Sequence, residues 1–202
     1  MTQPEASMDS RVFNKIMFEL NKMNYKGRIS LYLMNEPFLD DKILDLIKMA
    51  ASSCKEARIN ISTNGVIPNK THIAKAYEFG LTDCDVSCYS DAMWNKWKDE
   101  NVNAIDMRGY KYDYNNRGGN IEAGEGKEIG GYCERPFQQM YINAFGKAVL
   151  CCSDYKFQVI MGDIRKQKLK DIWNGEMYTK YREQLKTGER KGLTLCENCN
   201  YP

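Results

Sequence analysis

With 202 residues, 43% of them apolar, the chain can bury a sizeable core, so one domain with a smaller appendage is expected and disorder is not the default. Lys and Arg number 29 against 27 for Asp and Glu, a net charge of +2, which gives no electrostatic reason for a nucleic-acid or anionic-membrane partner. No apolar run reaches the roughly 20 residues of a membrane span, and Met1-Thr2-Gln3-Pro4-Glu5 lacks a basic start and an apolar signal core.

A cytoplasmic protein is expected. Thiols stay reduced there, so eight cysteines point to metal, cluster or redox chemistry in preference to disulfides.

Val12, Phe13, Ile16, Met17, Leu20 and Met23 recur at three- and four-residue steps, which predicts an amphipathic helix capped by Asp9 or Ser10. Ile29, Leu31 and Leu33 alternate as a strand that ends at Asn35-Glu36-Pro37, and Ile43, Leu44, Ile47 and Ala50 predict the next helix. The alternation repeats with a strand from Arg58 to Ser62, a helix from Thr71 to Phe79, a strand from Thr82 to Tyr89 and a fourth strand over Val102 to Met107. Such alternation implies parallel βαβ units, whose ligand sites gather in loops at the strands' carboxyl ends. Asn35-Glu36-Pro37 and Ser62-Thr63-Asn64-Gly65 both fall at such ends.

From Asn115 to Gly131 glycines and charges dominate, reading as a linker or mobile loop, with a domain boundary near residue 120. Beyond it, Gln138 to Cys151 reads as a hairpin around Asn143-Ala144-Phe145-Gly146. Leu169, Ile172 and Trp173, then Tyr178, Tyr181 and Leu185, predict one or two helices before Cys196-x-x-Cys199.

Two thiolates separated by two residues can share a metal centre, because a tight turn brings both sulfurs to one side. Cys196 and Cys199 supply half of such a site, and Cys133 and Cys151 are available for the rest, with Gly146 turning the hairpin that delivers Cys151. Spacing alone leaves a four-thiolate zinc site and an iron-sulfur cluster equally acceptable. Cys152 should face away from Cys151 as a packing thiol, since successive strand residues point to opposite faces. Cys84 and Cys88 share one face of a strand, and burial is expected for them and for Cys54. His72, the single histidine, stands at a helix start and is expected to play a polar surface role.

The order Cys133, Gly146-x4-Cys151, Cys196-x-x-Cys199, with Cys133-Glu134-Arg135-Pro136-Phe137 and Asp171-Ile172-Trp173-Asn174-Gly175 around it, resembles the C-terminal SPASM or "twitch" extension of radical S-adenosylmethionine (SAM) enzymes. The resemblance spans nearly the whole chain. It implies an α/β fold: a partial (β/α)6 TIM-like barrel over residues 1–119 that lacks its first strand, then a small β-hairpin plus helix SPASM/twitch domain over 120–202.

It also implies one auxiliary [4Fe-4S] cluster on Cys133, Cys151, Cys196 and Cys199. Glu36, with Asn35 and Pro37, stands where the family's Gly-Gly-Glu motif holds the SAM amino group, although Met34 and Asn35 replace the glycines. Ser62 and Asn64 match a segment beside the SAM carboxylate or ribose. Arg117 matches the substrate side, where it can pair an oxyanion or lower the pKa of a reacting hydroxyl.

The family's C-x3-C-x2-C loop, which binds the SAM-cleaving cluster, is absent from the sequence. An N-terminally truncated enzyme is therefore expected, with SAM and a second [4Fe-4S] cluster only in its complete form, where a 5′-deoxyadenosyl radical would oxidise or modify a small-molecule or peptide substrate. An electron donor or acceptor would be its partner. The alternatives are a non-catalytic single-cluster electron-transfer or partner subunit, and a structural zinc-binding α/β protein.

Overall fold

A computed structural model describes residues 6–109, 115–122 and 129–201. The chain divides into two compact units, Asn14–Tyr110 and the combination of Met1–Phe13 with Lys111–Pro202. The N-terminal pentapeptide and part of the glycine-rich 115–131 segment lie outside the described residues.

Helix α1 (Ser10–Lys22) buries Val12, Phe13, Ile16 and Met17, the apolar stripe of its sequence period. The unit that follows alternates strand and helix: β1 (Arg28–Ser30), α2 (Ile43–Ser53), β2 (Arg58–Thr63), α3 (Lys70–Glu78), β3 (Asp83–Cys88), α4 (Asp91–Trp97) and β4 (Asn103–Asp106). Its four strands are parallel in the order β1-β2-β3-β4.

Parallel pairing in register sorts the side chains onto two faces. Ile59, Ile61, Cys84, Val86 and Cys88 form a buried apolar face, and Ile43, Ile47, Ala50, Ile73, Ala76 and Trp97 are the buried residues of helices α2, α3 and α4. The opposite face is polar and self-satisfied. Arg28 donates to Asn60 at 2.6 Å and Asp85 at 3.3 Å, while Asn103 donates to Asp85 at 2.9 Å.

Two features differ from the sequence reading here. Strand β1 stops at Ser30 instead of running to Leu33, because the Asn35 side chain accepts from the Leu33 amide at 3.1 Å and bends the chain out of the ladder. Helix α4, too short for a clear apolar period, is fixed by the Ser90 hydroxyl accepting from the Met93 amide at 3.3 Å and by burial of Trp97.

The other unit holds α5 (Arg135–Gln138), the hairpin β5 (Tyr141–Ile142) and β6 (Lys147–Val149), a third strand β7 (Ile160–Asp163), and helices α6 (Leu169–Trp173) and α7 (Glu176–Thr187). The strands make an antiparallel sheet in the order β5-β6-β7. Strand β7 has no alternating pattern. Its Gly162 lies so close to α6 that an added Cβ would meet Ile172 Cγ1 at 2.6 Å, so packing and not side-chain period defines it.

Candidate metal centre and strand-end site

Each of the four predicted thiols is delivered by local chemistry. In the β5–β6 turn, the Asn143 side chain accepts from the Phe145 and Lys147 amides, both at 3.0 Å, and Gly146 adopts φ 72°, a left-handed value that favours glycine. Strand β6 then carries the chain to Cys151. The loop beyond it is tied by wholly buried Asp154, whose two oxygens accept from the Gln158 and Val159 amides at 2.8 Å. Burial raises the Asp154 carboxyl above its ordinary pKa.

At the C-terminus the Cys199 amide donates to the Cys196 carbonyl at 3.1 Å, which closes the C-x-x-C turn. Leu195, immediately before it, is held at φ 71°, an uncommon conformation for a leucine. Cys133 lies two residues before α5, whose Pro136 is buried.

The structure brings Cys133, Cys151, Cys196 and Cys199 to the wall of one cavity of about 350 Å³, counting the open space at its mouth. Arg135 and Arg190 also line it, and no carboxylate does among the described residues. Burial pushes the Cys151 thiol up to about 12. Cys196 is raised further, first by burial and then by Cys151, Cys199 and Cys133, so that it senses all three other thiols. Such thiols hold their protons unless positive charge enters among them, which a metal centre supplies.

Among the described residues no three His, Cys, Asp or Glu side chains are grouped closely enough to hold a single metal ion.

Cys152 differs from the packing thiol expected of it. It is half-buried and accepts a hydrogen bond from Arg135, whose guanidinium lies 3.7 Å from the centre of the Tyr201 ring. The segment 115–122 sits on the C-x-x-C turn. The Asn116 amide donates to Asn200 Oδ1 at 2.6 Å, the Asn200 amide donates to Asn116 Oδ1 at 3.2 Å, and Asn116 Nδ2 donates to the Asn198 carbonyl at 2.7 Å. Gly118 has φ 67°, and a Cβ there would meet Leu195 Cδ1 at 2.4 Å. Arg117 lies between these contacts with its guanidinium 5.9 Å from the Tyr155 ring centre.

The second constellation belongs to the parallel sheet. Glu36 precedes a 3-10 turn over Pro37–Leu39, and its carboxylate accepts from Thr63 Oγ1 at 2.6 Å, the Asn64 amide at 2.8 Å and the Phe38 amide at 3.3 Å. Glu36 and Asn64 are thus brought together. Ser62 is not, since it lies on the other face of β2, and Asn35 is turned to its own backbone.

Thr63 is the partner that the sequence reading passed over. Its signal was available in the strand period, which places it opposite to Ser62. The loop is held from behind by Lys96 Nζ, donating to the Gly65 and Pro68 carbonyls at 2.9 and 2.8 Å, and by Trp97 Nε1, donating to Gly65 at 3.0 Å.

Cys84, Cys88 and Cys54 are buried. Desolvation lifts the Cys84 thiol to about 12, so it is an inert packing group. His72 completes a capping box with Asn69 at the start of α3.

Residues 133–200 match SPASM, an iron-sulfur cluster-binding domain. Over 204 residues the chain is 26% identical to the S-adenosyl-L-methionine-dependent 2-deoxy-scyllo-inosamine dehydrogenase of Niallia circulans, covering 96% of this chain and 81% of that protein. The SPASM match thus covers the C-terminal third, and the chain as a whole is similar to a SAM-dependent dehydrogenase.

The fold agrees with that similarity. The structure of BtrN in complex with AdoMet and 2-DOIA matches with a TM-score of 0.84 at 24% identity, over 100% of this chain and 84% of that one. BtrN in an open conformation matches at 0.77 and 25% identity, over 96% and 80%. Native anSMEcpe with bound AdoMet matches at 0.52 and 10% identity, over 96% and 80%. The α/β fold of BtrN is therefore this chain's fold, and the iron-sulfur match is confined to residues 133–200. No helix among the described residues is long and apolar enough to cross a membrane.

Proposed function

We propose that Cys133, Cys151, Cys196 and Cys199 hold one auxiliary [4Fe-4S] cluster, and that in its complete form the protein oxidises a hydroxyl of a small polar molecule in a SAM-dependent reaction. The observation that carries this is the single cavity shared by four thiols and two arginines with no carboxylate among the described residues, a wall that suits an anionic thiolate-bound cluster. The substrate class, a small hydroxylated amine, is suggested by the name of the Niallia circulans relative.

Bound there, the cluster supplies one-electron oxidation. Each side chain then has a defined task. Glu36 receives the SAM ammonium as a charge-assisted acceptor, its oxygens aimed by Thr63 and the Asn64 amide. Asn35, Pro37, Ser62 and Asn64 shape the SAM loops around it. Arg117 pairs with the substrate oxygen and stabilises developing negative charge on it. An electron donor or acceptor completes the cycle, and a reducing cytoplasm suits eight free thiols.

No C-x3-C-x2-C triplet occurs in the 202 residues, so cleavage of SAM is assigned to a form of the protein that contains one. The same observation favours a second reading, in which this chain serves as a single-cluster electron carrier or partner subunit. Anaerobic reconstitution with iron and sulfide, metal analysis and low-temperature EPR of the reduced sample test both. Uptake of about four irons per chain with a paramagnetic signal is expected. Stoichiometric zinc without such a signal would replace both readings with a structural zinc site.

A further inference from the structure

Helix α7 ends at a left-handed cap, Gly188 at φ 81°, which turns the chain and sends Arg190 back into the body of its unit. Arg190 is 4% exposed and lines the thiol cavity. Among the described residues its guanidinium hydrogen-bonds backbone carbonyls alone. Nε donates to Gly131 and Nη1 to Cys199, both at 2.9 Å, and Nη2 donates to Tyr201 at 2.9 Å and Tyr132 at 3.4 Å. These carbonyls belong to the two segments that carry Cys133 and Cys199, which stand far apart in sequence.

Among the described residues no carboxylate pairs with Arg190. A guanidinium stays protonated in proteins, and a buried charge normally has a counter-charge. Carbonyl dipoles solvate it but do not neutralise it. Among the described residues no protein group supplies the neutralising charge, and thiolate-bound metal in the adjoining cavity would supply it.

We propose that Arg190 is a positioning residue of the auxiliary cluster: it fastens the Cys133 segment to the Cys199 turn, and its buried positive charge offsets the cluster's negative charge and raises its reduction potential. The inference rests on the cluster reading given above. It assigns two separable duties to one side chain, since geometry requires the forked donor set and electrostatics requires only the charge.

The test uses the full chain and the variants Arg190→Lys and Arg190→Gln, reconstituted anaerobically. Iron and sulfide per chain and an EPR-monitored redox titration are the readouts. Arg190→Lys keeps the charge and loses the fork, so cluster retention should fall while the potential stays near that of the parent. Arg190→Gln loses both, so retention should fall and the potential of the cluster that remains should move to more negative values.

A purely structural arginine would lower occupancy in both variants and leave the potential unmoved, which overturns the electrostatic duty. Full cluster retention in both variants overturns the fastening duty. If Arg190→Gln proves insoluble, Arg190→Met read by the same titration carries the charge arm. Failure of the parent chain to take up a cluster would instead sink the cluster reading itself.

Discussion

Asn116 and Asn200 exchange hydrogen bonds in both directions, each backbone amide donating to the other's side-chain oxygen, across 84 residues of sequence. The pair docks the segment that carries Arg117 onto the turn that carries Cys196 and Cys199. Asn200 is 4% exposed, and removing its side chain deprives the half-buried Asn116 amide of this acceptor. Asn200→Ala is expected to cost about 1–3 kcal/mol of stability. Denaturant unfolding measures that loss, and hydrogen exchange should rise at residues 116–120 more than in β6. Unchanged exchange there would show that the glycine contacts alone hold the segment.

The cysteines divide into two groups with opposite expectations. Alanine at Cys133, Cys151, Cys196 or Cys199 should each cause a loss of iron on reconstitution, because each removes one ligand. Alanine at Cys84 or Cys88 should leave iron content unchanged and lower only the melting temperature, since both are packing groups on the apolar face. Iron analysis alongside thermal melts separates the two. Cys152→Ala should also keep its iron, and loss there would place it among the ligands.

Glu36 is aimed by Thr63, and this gives a graded expectation for SAM. Glu36→Gln removes the charge proposed to face the SAM ammonium and should weaken SAM binding roughly tenfold or more, about 1.4 kcal/mol. Thr63→Val removes the hydrogen bond to Glu36 at 2.6 Å, with the one Thr63 accepts from the Gly65 amide at 3.1 Å, but keeps the carboxylate and should weaken binding less. Equilibrium binding of SAM to the full chain checks the order. Equal affinities for parent and Glu36→Gln would dismiss Glu36 as the ammonium acceptor.

Gly65→Ala tests the back of the same loop. Gly65 has φ 73°, and its added Cβ would fall 2.5 Å from Trp97 Nε1 and 2.7 Å from Val86 Cγ1. Both the backbone conformation and the packing oppose the change, so a destabilisation above about 1 kcal/mol is expected. Chemical denaturation reads it directly, and no loss would mean that Trp97 can withdraw from the loop.

Acid stability should depend on Asp163. Hydrogen bonds from Arg165, and then Lys147, hold its carboxyl well below the usual carboxylate range. Lys147 reaches it from the neighbouring strand at 2.8 Å. Because the folded pKa lies below the unfolded value of about 3.9, the contribution is complete at higher pH and fades as pH falls through the folded value. Asp163→Asn should be less stable than the parent at neutral pH, with the gap closing below about pH 4. A gap that is constant with pH would show that the ionised carboxylate is not what stabilises.

The sequence was most legible where one local pattern sufficed. Helix α1 follows from a single apolar stripe, and β2 and β3 alternate apolar with polar residues between turns. The cysteine order, with Gly146 placed to turn the hairpin, pointed to a metal or cluster site and left zinc and iron-sulfur level until the family resemblance decided. Strand β7 was hidden because Gly162 answers to Ile172 and not to a strand period. Helix α4 was hidden because seven residues hold too few turns to display one.

What the sequence determined by itself is the inventory of thiols, the glycines that turn the chain and the alternation that makes a parallel sheet, since each depends on residues close together in the chain. Tertiary structure decided which distant groups meet. It chose Thr63 over Ser62 as the partner of Glu36, drew Asn116 to Asn200, and gave Arg190 four backbone carbonyls. Those choices depend on strand faces and packed loops, in which contacts are made across dozens of residues and leave no local pattern to read.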